Sequence, residues 1–70
     1  MNIERLVRMA NDIGNFFKAE PDHAVAVDGV ALHLKRFWDP RMRKQILDDL
    51  GTARLDPRVR LAVERLKDPV

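Results

Sequence analysis

The sequence predicts an all-α chain, a small bundle of four helices. Three observations carry that prediction. Apolar residues recur at spacings of three and four along most of the chain. No segment alternates apolar and polar residues as a half-buried strand does, and β-branched residues are scattered rather than clustered. Breaks at "AEPDH", at Asp39-Pro40, and between Gly51 and Asp56-Pro57 divide the chain into four periodic segments. With 70 residues, 46% hydrophobic and 34% charged, the chain suits one small domain near the lower limit for a self-sufficient core.

The first helix is expected over about 3–18. Asn2 caps it, and Ile3, Leu6, Val7, Ala10, Ile13, Gly14 and Phe17 share one face. Pro21 ends the segment because it lacks the amide a continuing helix needs, and Asp22 caps the next. That second helix, about 22–37, is expected to bury Ala24, Val27, Val30, Ala31 and Leu34. Each Asp-Pro pair reads as an N-cap followed by a proline pre-set for the first helical turn. The third helix, about 40–50, presents Met42, Ile46, Leu47 and Leu50 and stops at Gly51, a residue able to take the left-handed C-terminal conformation. The fourth, about 57–67, presents Val59, Ala62, Val63 and Leu66, with Leu55 placed to staple onto it. The tail "KDPV" reads as frayed.

Two helices carry more apolar surface than a core of this size requires. Met9 and Phe16, seven apart, widen the first helix's stripe through Ile13 to roughly half the circumference. Val25 and Leu32, also seven apart, lie opposite the second helix's core stripe beside Gly29 and Arg36. Single exposed apolar side chains are ordinary and four close-packed helices cover some of them. Two such stripes in one chain fit a subunit or a homo-oligomer.

Little in the sequence supports catalysis. Ser, Cys and Tyr are absent, and Thr52 is the one hydroxyl residue, so acyl transfer has little to work with. The lack of Cys excludes disulfides and thiolate metal sites. His23 and His33 stand about 15 Å apart along a helix, too far to ligate one metal within a chain. His23 reads as a helix-start residue packed against the core, and His33 as solvated. Asp48 and Asp49, about 100° apart around a helix, suit neither a shared proton nor a cation cage. No glycine-rich phosphate loop is present. No catalytic, cofactor-binding or metal-ligating residue is therefore assigned. The amino terminus lacks the apolar run of a signal peptide and nothing is long enough to span a bilayer, so a cytoplasmic protein without membrane contact is expected.

The segment "HLKRFWDPRMRK" is the most distinctive. Lys35, Arg36, Arg41, Arg43 and Lys44 surround Phe37 and Trp38, a mixture that single-strand binders use for phosphate attraction and base stacking. A small helical nucleic-acid-binding regulator using residues 35–44 is accordingly an alternative reading, with the third helix as recognition helix. Against it, Trp38 continues the second helix's buried stripe and Phe37 lies at its edge, so both read as core at a corner. Asp39, Asp48 and Asp49 interrupt the basic field, and Gln45 is the one amide on the third helix for reading bases. Arg43 falls inside that helix's apolar arc. Either its stem covers the core while the guanidinium reaches water, or it meets a carboxylate or carbonyls of this chain or another.

"RLVRMANDIGNFF" (5–17) followed by "HLKRFWDPRMRKQI" (33–46) resembles the small delta subunit of the cytosolic, NAD-dependent, molybdenum- or tungsten-containing formate dehydrogenase. The resemblance covers residues 3–50, and the Phe-Trp-Asp-Pro-Arg-Met-Arg run at 37–43 is its specific part. It implies a non-catalytic accessory subunit that supports assembly or stability of a larger oxidoreductase. The catalytic alpha subunit is the implied main partner and, through it, the other subunits. It also implies that the bis-pterin metal cofactor, the iron-sulfur clusters and FMN reside in those partners. The expected partner interface is Arg36, Phe37, Trp38, Arg41, Met42 and Arg43 at the corner, with Met9 and Phe16 on the first helix. A dimeric helical chaperone acting only during cofactor insertion shares these features.

Overall fold

The computed structural model describes residues 2–67. Four helices, α1 (Ile3–Phe16), α2 (His23–Phe37), α3 (Pro40–Asp48) and α4 (Pro57–Glu64), are followed by a 3-10 turn at Arg65–Lys67. No strand occurs among the described residues, so the expected four-helix, all-α class holds. Of the frayed tail expected at 67–70, Lys67 closes the 3-10 turn and the remainder, 68–70, lies outside the described residues. None of the described helices is long and apolar enough to cross a membrane.

The helix starts follow from short polar side chains. Asn2 Oδ1 accepts from Glu4 N–H at 2.8 Å, Asp22 Oδ1 from Val25 N–H at 3.2 Å, and Asp39 Oδ1 from Met42 N–H at 2.9 Å. Each satisfies an amide that the first helical turn leaves free. Asp56 occupies the corresponding position before α4, yet its side chain makes no capping bond. Its own amide is held instead by Asn11 of α1.

The helix ends differ from expectation by a turn or less. α1 stops at Phe16 rather than Lys18, because Phe17, Lys18 and Glu20 close tighter bonds to Gly14, Asn15 and Phe17 as the chain approaches Pro21. α3 stops at Asp48, where the amide of Asp49 returns to Gln45 at 3.1 Å. Gly51 does not adopt the left-handed conformation; none of the described glycines has a positive φ.

α4 packs chiefly on α2, and α1 and α3 close the remaining sides. Leu6, Val30, Leu34, Ile46, Val59 and Val63 are fully buried at the centre, with Trp38 and Leu55 beside them. On α2 the buried face comprises Ala26, Val27, Val30, Ala31 and Leu34. Ala24, expected inside, is exposed and Ala26 takes its place. At 100° per residue, residues 26 and 24 lie near opposite edges of the stripe, and the edge at Ala26 is the covered one.

Two glycines set the closeness of packing. A Cβ on Gly14 would stand 2.3 Å from Val59 Cγ2, where α1 crosses α4. One on Gly29 would stand 2.5 Å from the ring of Phe17, which rests close against the backbone of α2.

Candidate interaction surface

The corner between α2 and α3 divides the 36–43 segment into members that hold it and members that face outward. Trp38 is 4% exposed and belongs to the core, as expected. Phe37 does not: it is 71% exposed. It is the last residue of α2 and extends past the packed part of the helix, where its ring lies 4.7 Å from that of His33. Met42 is half-buried against the core, and Arg36 and Arg41 are exposed.

Arg43 reaches back from α3 to the end of α2. Its Nη1 donates to the carbonyls of Leu34 at 3.4 Å and Lys35 at 3.2 Å, and to that of Trp38. The last carbonyls of a helix carry the negative end of its dipole, so a half-buried guanidinium is well matched there; Leu34 O also accepts from Trp38 N–H at 3.1 Å. Of the acceptors open to this arginine, carbonyls of its own chain are the ones it takes.

The same device recurs at the other two connections. Arg58 Nη1 donates to Phe17 O (3.4 Å) and Glu20 O (3.0 Å), closing the turn after α1. Arg60 donates through Nη1 to Leu50 O at 2.6 Å and through Nη2 to Ala53 O at 2.5 Å, closing the turn after α3. Asn11 adds a tie: its Nδ2 donates to Arg54 O and its Oδ1 accepts from Asp56 N–H, both at 3.0 Å. Arg65 pairs with Asp28 of α2. Sequence reasoning singled out Arg43 by its place in an apolar arc. Arg58, Arg60 and Asn11 gave no comparable signal, because their acceptors lie roughly 40 residues away or on turn carbonyls that no side-chain pattern marks.

The surplus stripes also divide. Met9 is half-buried against the core, whereas Phe16 is 83% exposed and packs edge-on against Phe17, ring centroids 5.3 Å apart. Val25 and Leu32 are exposed, as their place opposite the core requires. His23, expected against the core, is exposed at the first turn of α2. His33, expected in solvent, is half-buried. It lines a cavity of about 320 Å³ with Asp12, Ile13, Phe16 and Phe17, and its Nδ1 is buried without a hydrogen-bond partner. Among the described residues, no group of three or more His, Cys, Asp and Glu comes together as a metal site.

No curated relative and no solved structure matches the chain. A family model does, that of the NADH-dependent formate dehydrogenase delta subunit FdsD, over residues 5–63. The match takes in most of α1, the Phe-Trp-Asp-Pro corner and, past residue 50, the Asn11-tied loop and most of α4. The chain belongs to this family of formate dehydrogenase delta subunits.

Proposed function

We propose that the chain is a non-catalytic accessory subunit that docks on the catalytic alpha subunit of an NAD-dependent formate dehydrogenase and supports assembly or stability of the complex in the cytoplasm. In this reading the molybdenum or tungsten bis-pterin cofactor, the iron-sulfur clusters and FMN reside in the partner subunits. The interface comprises Arg36, Phe37 and Arg41 at the corner and Phe16 on α1, with Trp38, Met42, Arg43 and Met9 fixing the geometry from beneath. The observation that carries it is the corner itself: a largely exposed phenyl ring between arginines that are unpaired among the described residues, on a turn whose carbonyls Arg43 clamps. An aromatic and arginines presented on a rigid support are the residue types that dominate protein interfaces.

Co-expression with the other subunits tests this. A tagged copy is expected to bring down the alpha subunit, and deleting the chain to reduce complex yield, metal loading or activity. A tagged copy that captures no alpha subunit, or a deletion that leaves all three unchanged, overturns the reading.

A further inference from the structure

Among the described residues, four of the five exposed large apolar side chains, Phe16, Val25, Leu32 and Phe37, belong to α1 and α2. At 100° per residue, Leu32 and Val25 lie on the outward side of α2 and Phe37 about 120–140° further round, within the edge of the buried arc but uncovered because the helix ends there, with Arg36, Gly29 and His33 between them. Phe16 joins this surface from α1 through Phe17, which rests on Gly29. Between Phe16 and His33 lies the 320 Å³ cavity, about ten water volumes. Its walls are mostly aromatic and aliphatic, and Phe37 stands against His33 at one side. The space admits one bulky apolar side chain.

The α2–α3 side of the cavity is basic. Arg36 lies one turn beyond His33 on the same side of α2, and Arg41 stands across the corner on α3, while Lys35 falls about 160° around the helix from His33. None of the three has a side-chain hydrogen bond or ion pair among the described residues, whereas Arg43, Arg58, Arg60 and Arg65 are all engaged within the chain. Asp12 lines the cavity from the α1 side. Arg8 lies one turn before Asp12 and shares the adjoining surface with it and Arg5, so the α1 side is mixed in charge and an incoming carboxylate is drawn chiefly by Arg36 and Arg41.

We propose that this groove receives a bulky apolar side chain of the catalytic subunit, carried on a segment whose carboxylates face Arg36 and Arg41. The proposal rests on the docking reading above. A nucleic acid fits poorly, since its backbone offers nothing to an apolar cavity, and a second copy of this chain is the competing occupant that the measurement below distinguishes.

The test measures affinity between the full chain and the complex prepared without it. Phe37→Ser and Phe16→Ser are each expected to weaken binding at least about tenfold, as truncation of a central anchor does. Arg36→Glu should weaken it more at low salt than at high salt. Leu61→Ser, on α4 away from the groove, should bind like wild type. Circular dichroism monitors folding, and Arg36→Glu, a change at an exposed residue, carries the test even if a Phe variant fails to fold. If wild type does not bind the complex, the docking reading fails. If wild type binds and the groove variants bind equally well, that reading stands and the groove assignment is overturned. It is also overturned if the isolated chain forms a dimer that Phe37→Ser dissolves, or binds DNA or RNA through the same residue.

Discussion

At the scale of single residues, Asn11 spends both halves of its carboxamide on one loop, donating to Arg54 and accepting from Asp56 at 3.0 Å each. Asn11→Asp keeps the acceptor but replaces the donor with an anionic oxygen facing a carbonyl. It is expected to cost about 1–3 kcal/mol, the usual penalty for a lost bond with an unsatisfied partner, read by urea denaturation against an unchanged slope. Arg43→Ala strips three carbonyls of their guanidinium and removes a stem from the core edge, and about 1–3 kcal/mol is again expected. In a chain of this size that corresponds to a melting temperature lower by roughly 4–8 °C per kcal/mol. Arg43→Lys should recover only part of the loss, because an ammonium is more strongly hydrated than a guanidinium and loses more solvation at a half-buried site. The anomaly of Arg43 was legible in the sequence from its position among apolar neighbours. Asn11 was not, since a polar residue at the edge of an apolar face is unremarkable until the loop it holds is in place.

At the scale of helices, local chemistry was largely legible. Asn2, Asp22 and Asp39 cap as their types predict, and the Asp-Pro pairs mark the starts of α3 and α4. Endings were less legible because they depend on groups arriving from elsewhere, such as Arg58 at the turn after α1. Gly14 and Gly51 separate the two reasons a helical protein uses glycine. Gly14→Ala gains helix propensity but drives a methyl into the stiff, β-branched Val59. A net loss of about 1–2 kcal/mol is expected from overpacking. Gly51→Ala meets nothing within 4 Å and needs no positive φ, so it should be neutral or stabilise by about 0.4–1 kcal/mol through the unfolded chain. Thermal melts of the two variants should therefore move in opposite directions, or Gly51→Ala not at all. On α3, the hydrogen bond from Lys44 to Asp48 at 2.9 Å raises the ammonium above its ordinary value. A raised value means the pair contributes below the ordinary lysine range and is lost as pH climbs through the shifted one. Because both side chains are largely in solvent, added salt should erase what little it gives.

At the scale of the whole molecule, the turns of the first half are closed from the second. Arg58 and Arg60, both on α4, hold the connections after α1 and after α3. A fragment ending at Gly51 loses these closures together with the buried Val59, Ala62 and Val63, and should show little helical circular dichroism and no cooperative melt. The class and order of the helices were legible because periodicity and caps are local. Which apolar residues stay outside was only half legible: Val25 and Leu32 announced themselves opposite a core stripe. Phe37 sits within the arc of buried residues and is left uncovered because α2 ends there. The partition of the arginines also has a consequence for chemical labelling. A dicarbonyl reagent selective for guanidinium groups should react readily with Arg36 and Arg41 in the free chain and slowly with Arg43, Arg58 and Arg60, whose nitrogens are already hydrogen-bonded. Protection of the first pair, once the chain is bound in its complex, would map the docked face residue by residue without any substitution.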